Sequence, residues 1–400
     1  MRAENMDKCN SIIKRYFEGK NLRNIFLLIC VMTLISRAIF YIVFKITDTG
    51  QNNGFIMWMT SIYDNNWYYG IIQGGYHLHP SYGNSGQAAN WAFFPLDALL
   101  IKLLSFNGLI DIRIAGFIIN NIFFITAMLI SYKYIMLTRN NTVLAIGYIF
   151  LMTFGPYNFY FSSLYTESLF LLLTVTALYE MEQSHYIKMG IAGCLLSATR
   201  VTGVFLCFCV LVKLIQKYRN EENVSFLGFV KKIFSNRRLV LGVSIIPAGL
   251  FSYMFYLYKL VGDPLAFIRI QNSIEWRGSS VKSYISSILP AFCSDKFIDI
   301  YLQLFLIMII IVMIYQFKKG NLHEIFVYAI PCAIQFFNGN GVLMGIGRYS
   351  VGTGVFVIGF LEMISENFSQ KAKLVTFLFL IYLSLKLLHG YFTYNIIAIG

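Results

Sequence analysis

Residues 24–46 read NIFLLICVMTLISRAIFYIVFKI. The run is almost wholly apolar and long enough to cross a bilayer, whose hydrocarbon core of about 30 Å takes roughly 20 helical residues. It is too long for the apolar core of a cleaved leader, and no small-residue cleavage site follows, so it is expected to remain as an anchor. Working outward, similar segments recur at 112–134, 142–160, 163–181, 187–199, 203–217, 239–259, 300–317, 324–338, 349–365 and 374–396. Segments 187–199 and 203–217 also read as one helix bent near Gly203. Composition agrees with this reading. Of 400 residues, 57% are apolar, 13% are charged and 17% are aromatic, with mean hydropathy +0.63. A soluble domain carries about a quarter charged residues, so too few charges are present to coat a water-facing surface. The pattern predicts an all-α polytopic membrane protein with about ten or eleven spans, occupying residues 1–400 as one integral membrane domain.

The formal net charge of +13 does not indicate nucleic acid. Lys and Arg gather in short segments between apolar runs, where they favour the cytoplasmic face and anionic lipid. Residues 1–23 hold Arg2, Lys8, Lys14, Arg15, Lys20 and Arg23, and segment 213–238 holds seven more, whereas residues 47–92 hold none. Basic turns at Lys318–Lys319 and Lys371–Lys373 follow. This asymmetry predicts a cytoplasmic N-terminus and two large extracytoplasmic loops, 47–105 and 261–299, carrying short amphipathic helices. No internal repeat is evident, which weighs against inverted-repeat transporters.

The first loop holds YDNNWYYGIIQGGY, Tyr63 to Tyr76. Asp64 sits there between aromatic and apolar residues, and partial desolvation would raise a carboxyl toward the range of a general base. The plain alternative is an Asp capping the next helix. In NWAFFPLDALL, Pro95 reads as a helix start with Asp97 in the first turn. Next comes FGPYNFYFSSLYTESLF, where Glu167 lies at membrane depth, a costly place that marks a functional candidate. Ser162, Ser163, Tyr165 and Thr166 are candidates to hydrogen-bond a sugar; the alternative is a Ser-capped helix start with Glu167 in its first turn. Arg200 in ATRVTG and Arg348 in GIGRYS lie at outer turns. There two guanidiniums suit a phosphate, or else snorkel to headgroups. In the second loop, Gln271 and Trp276 suit sugar stacking and hydrogen bonding, or an interfacial belt.

No phosphate-binding loop or dinucleotide fingerprint is present. His77 and His79 form a pair without an evident third ligand, so no metal site is assigned, although a divalent cation is left open. The seven Cys show no CxxC and read as packing residues.

The ordered motifs resemble the PIG-V-like mannosyltransferases, a family within the GT-C class of integral-membrane glycosyltransferases. The resemblance is carried by Asp64, Trp67–Tyr68, Gly75–Tyr76, Ala92 to Leu96, Thr166–Glu167–Ser168, Thr199 to Gly203, Gly262 to Phe267 and Arg348–Tyr349. It departs at Tyr63, where the family pattern has Trp, and at Asp97, where it has an aromatic; the latter would bear on acceptor recognition. The resemblance implies a GT-C-like helix bundle that transfers a mannose-like hexose with inversion. The donor would be a polyprenyl-phosphate sugar, and the acceptor a lipid, glycan or protein on the extracytoplasmic side. It implies Asp64 as catalytic base. Arg200, Arg348, Glu167, Trp67, Tyr68, Tyr165, Gln271 and Trp276 would surround the donor phosphate and sugar. The implied location is a bacterial plasma membrane, or the endoplasmic reticulum for a eukaryotic chain. The rival classes are a transporter or lipid flippase, and another GT-C enzyme such as a protein O-mannosyltransferase.

Overall fold

The computed structural model describes residues 22–47, 54–81, 86–221, 226–272, 297–338 and 345–393. Among them the regular structure is helical, with no strand. Six helical stretches are long and apolar enough to cross a membrane, and three shorter apolar helices accompany them. The chain is therefore an α-helical polytopic membrane protein.

Helix α1 (Leu22–Ile46) leads, followed by three short helices, α2 (Phe55–Met59), α3 (Asn65–Gly74) and α4 (Pro95–Leu104). Helix α4 starts with Pro at its first position, as the Phe-Phe-Pro step predicts. Next, α5 (Ile112–Arg139) is capped by the Asp111 carboxylate, which accepts from Arg113 and Ile114 N–H. It packs along α7 (Glu167–Glu182), and α7 along α8 (Tyr186–Ser197).

Between α5 and α7 lies α6 (Thr142–Phe154), which ends at Gly155–Pro156 rather than running to 160 as the hydropathy suggests. The expected 142–160 span is thus corrected. Residues 155–166 leave the helix, form a 3-10 turn at Asn158–Ser162 and are buried almost throughout. Non-helical backbone at such depth persists only where protein groups satisfy it. Here they do: Asn120 Nδ2 donates to Ser163 O at 2.6 Å, and Asn65 Oδ1 accepts from Leu164 N–H at 2.6 Å.

After α8 the chain reverses through a 3-10 turn, Val201–Phe205, into α9 (Leu206–Glu221). Lys213 on α9 pairs with Glu182 at the end of α7 at 2.6 Å, so α9 runs back alongside α7. The bent-helix alternative for 187–217 is thereby set aside. Helices α10 (Phe226–Ser235) and α11 (Arg237–Ile245) follow, and Pro247 separates α11 from α12 (Ala248–Val261). A Cβ on Gly190 of α8 would stand 2.3 Å from Gly242 O of α11, so this crossing brings backbones into contact.

Short α13 (Ala266–Arg269) precedes α14 (Phe297–Lys318), α15 (Leu322–Asn338), α16 (Ile346–Val351), α17 (Val355–Asn367) and α18 (Gln370–Thr393). Helix α15 packs on α9, α17 on α6 and α14, and α18 on α1.

One end of the bundle gathers Arg139, Glu182, Lys213, Lys319, Glu324, Glu362 and Glu366 in ion pairs. That is the end with the basic turns. Asp64, Asp97, Glu167, Arg200 and Arg348 lie at the heads of helices facing the other end. Large apolar side chains such as Leu34, Ile42, Phe255 and Phe317 stand exposed around the belt between, as expected of a surface that faces lipid.

Candidate functional site

The site is built where three interrupted helices meet. Asp64 occupies the position just before α3 but makes no cap bond with its side chain. Its carboxylate instead accepts from Arg348 Nη1 at 2.9 Å. The plain capping role proposed from the sequence is thus not what Asp64 does. Its backbone N–H donates to the Tyr165 hydroxyl at 3.1 Å.

Two neighbours place this carboxylate. Tyr63 holds a left-handed φ of 54°, a strained choice for an aromatic residue that turns the chain sharply into α3. Asn65 is fully buried, and its amide bonds Ile62 O, the Tyr391 hydroxyl and Leu164 N–H, which fastens the head of α3 to the buried 155–166 segment. Tyr391, from the last helix, also donates to Met59 O at 3.0 Å.

Glu167 is the hinge of the cluster. Its Oε1 accepts from both Arg348 Nε and Arg200 Nη2. It is the first residue of α7 and 1% exposed, and neither Ser nor Thr166 caps that helix through its side chain. The Ser-capped alternative is corrected on this point. Thr166 Oγ1 accepts from Arg200 Nε at 2.7 Å.

Arg348 stands on short α16, and a Cβ at Gly347 would fall 2.0 Å from the Tyr157 ring, so only glycine lets α16 come this close. The Arg348 guanidinium lies 4.4 Å from the Tyr165 ring centroid and 5.5 Å from that of Tyr160. Neither arginine reaches outward to snorkel. The result is a chain of charges, Asp64–Arg348–Glu167–Arg200, that sums to zero and whose buried members are all paired. Low dielectric demands such pairing.

Three atoms of this charge chain have no hydrogen-bond partner among the described residues: Glu167 Oε2, which is buried, and Asp64 Oδ1 and Arg200 Nη1 at its two ends. The Asp64 side chain is 22% exposed and that of Arg200 11%, so the end of the chain nearest Asp64 is the more open one.

The aromatic residues form a wall. Trp67 stacks on Phe93 at 5.7 Å and Tyr68 packs edge-on to the same ring at 5.1 Å. Burial raises the Tyr68 hydroxyl above the ordinary phenol range. Residues 91–94 are locked to α12 and α13: the Tyr253 hydroxyl donates to Trp91 O at 2.8 Å, and Phe94 packs on Phe267 at 5.4 Å.

Other expectations are corrected. Ser162, Ser163 and Tyr165 are fully buried, and their hydroxyls serve Asn121, Phe159 O with Tyr391, and the Asp64 N–H respectively, so they are not turned to a sugar. Gln271 is exposed in the 3-10 turn Ile270–Asn272 and makes no bond to the charge chain. Trp276 lies outside the described residues.

The His77 ring accepts from Asn90 N–H at 3.4 Å, and its carbonyl from Trp91 Nε1 at 2.7 Å. Burial, aided by His79, lowers its pKa. Among the described residues no group of three or more His, Cys, Asp or Glu is placed to hold a metal.

Two features escaped the sequence reading. Arg37 in α1 is buried, donates to Asn121 Oδ1 at 2.8 Å and leaves Nη2 without a partner among the described residues. Its signal was an arginine inside a 23-residue apolar run. At the opposite end, Arg139 pairs with Glu324 at 2.6 Å and Glu362 at 2.9 Å. Those residues sit at span ends, where charge is ordinary, so no pattern singled them out. No protein-family model and no characterised protein matches this chain, and the likeness to the PIG-V-like mannosyltransferases rests on its ordered motifs.

Proposed function

We propose that the chain is a membrane glycosyltransferase that moves a mannose-like hexose from a polyprenyl-phosphate donor to a lipid, glycan or protein hydroxyl at the extracytoplasmic face. The reading is supported chiefly by one observation: a single charge chain ends in a carboxylate oxygen, Asp64 Oδ1, and a guanidinium nitrogen, Arg200 Nη1, neither of which is used by the described protein. Transfer with inversion needs both kinds of group. Asp64 takes the proton of the acceptor hydroxyl while that oxygen attacks C1 of the sugar. The bond from C1 to the phosphate oxygen breaks, and the lipid phosphate leaves with the electron pair. Arg200 stabilises the charge that develops there. Arg348 acts differently from Arg200. Bound to Asp64 and Glu167 together, it holds the base in place and contributes to the local potential. Location at the bundle end opposite the basic turns fits a donor presented from the extracytoplasmic leaflet. No divalent cation is assigned.

The decisive experiment incubates the purified full chain in detergent with polyprenyl-phosphate mannose and a panel of glycolipid and peptide acceptors. Transfer is expected in wild type, and Asp64→Asn should retain fold and donor binding while losing at least about a hundredfold in rate, the scale of one general base. Near-normal turnover by Asp64→Asn removes Asp64 from the base role. Arg200→Ala should raise the donor KM, whereas Arg348→Ala should lower kcat; if neither constant moves, the arginines only support the fold.

The transporter reading has one observation in its favour. A second buried ion network, Arg139–Glu324–Glu362, closes the other end of the bundle, and paired charge layers at both ends suit alternating gates. Catalysis in detergent separates the two readings, since transport needs two compartments and transfer does not.

A further inference from the structure

Asp97 stands beside the charge chain and takes no part in the transfer described above. It lies in the first turn of α4, outside the spanning helices, and is completely buried. Neither of its carboxyl oxygens has a hydrogen-bond partner among the described residues. The location follows from the backbone: Leu96 N–H donates to Ala198 O at 3.3 Å, which lays the start of α4 against the Thr199–Arg200 turn.

The elements packed on α4 offer little to a negative charge. From α3 and α5 come Tyr68, Ile71, Ala115 and Ile119, which share one apolar cluster with Ala98 and Ile101. The charged groups that face Asp97 are Glu167 at the head of α7 and Arg200 after α8. Arg200 is already committed to Glu167, whose second oxygen, Oε2, is itself buried without a donor among the described residues.

Charge counting then decides the state. Asp64 and Glu167 balance Arg200 and Arg348. An ionised Asp97 would add a third anion, with no hydrogen bond to repay its desolvation, and such a group neutralises instead. Burial first and Glu167 second push this carboxyl up to about 8, with Arg200 opposing.

We propose that Asp97 is carried as a neutral carboxylic acid, and that its ionisation closes the site at alkaline pH by competing with Glu167 for Arg200. The kinetic half of this inference rests on the transferase reading; the protonation half does not.

Infrared difference spectroscopy on the full chain in nanodiscs tests the protonation half directly. Wild type should show the carbonyl stretch of a buried carboxylic acid at neutral pH, lost as pH rises through about 8 and missing in Asp97→Asn. Absence of that band at neutral pH, or its persistence in Asp97→Asn, overturns the proposal. The kinetic half is read from pH profiles. Wild-type transfer should fall about tenfold per pH unit above about 8, as for one ionisation. Asp97→Asn should keep the neutral-pH rate and lose the alkaline fall. Asp97→Leu, which replaces the two unpaired oxygens with bulkier methyl groups, should behave likewise. An unchanged alkaline fall in either variant shows that ionisation of Asp97 does not close the site. If wild type transfers no sugar at any pH, the transferase reading fails while the infrared result still decides the state of Asp97.

Discussion

At the scale of single residues, the site depends on side chains that never meet solvent. Asn65 illustrates this: it carries no charge and sits beside Asp64, yet its amide joins α3 to the 155–166 segment. Asn65→Leu should leave the Leu164 N–H unpaired, cost about 1–3 kcal/mol and lower kcat more than it raises the acceptor KM, measured by denaturation and steady-state transfer. Asp97 makes a prediction about stability as well. Its carboxyl titrates near the ordinary 3.8 in the unfolded chain and up at about 8 when folded. The folded state therefore holds the proton more tightly. The stability this lends is fully present below the unfolded value and is lost as pH rises through the folded one. The thermal midpoint of wild type should decline across that window relative to Asp97→Asn. Parallel curves for the two proteins would show that Asp97 ionises normally.

At the scale of elements, the working parts lie where helices stop. α6 stops at Gly155–Pro156, α8 at the Thr199–Arg200 turn, and α16 is one short helix ahead of α17. Each break frees backbone groups and brings a charged side chain into the interior, and neighbouring side chains repay the cost. Packing between whole helices fixes where those breaks fall. Gly190 and Gly242 let α8 and α11 touch, which sets the height of the turn carrying Arg200. Gly242→Leu should force these helices apart, lower the thermal midpoint, and raise the donor KM through displacement of Arg200. A variant with a lowered midpoint but an unaltered KM would show that the α8–α11 contact does not govern the turn.

At the scale of the whole molecule, two buried ionic layers close the bundle at opposite ends. Removing one member of a buried pair strands the other and costs about 3–5 kcal/mol. Arg139→Ala strands Glu324, which is fully buried and also bonded to the Tyr134 hydroxyl at 2.5 Å. Its expected outcome is a marked loss of thermal stability with transfer per folded molecule unchanged, because the Asp64 cluster lies at the far end. Loss of transfer in folded Arg139→Ala would couple the two layers and favour the gated transporter.

Much of this organisation is written in the order of residues. A membrane-spanning helix satisfies its own backbone and needs only apolar length, so the segments at 24–46, 112–134 and 374–396 were visible from composition alone. So was the start of α4 at Pro95, since proline fixes φ and lacks the N–H that a helix head leaves unused. The candidate acids and arginines were legible too, being rare polar residues in apolar surroundings. Their pairing was not: Asp64 and Arg348 are 284 positions apart, and no local pattern relates them. Tertiary structure alone decided that Glu167 bridges two guanidiniums, that Ser162 and Ser163 turn inward, and that Asp97 lies without a hydrogen-bond donor among the described residues. The reason is that apolar length is a property of one segment, whereas the state of a buried charge depends on every group the fold brings within a few ångströms of it.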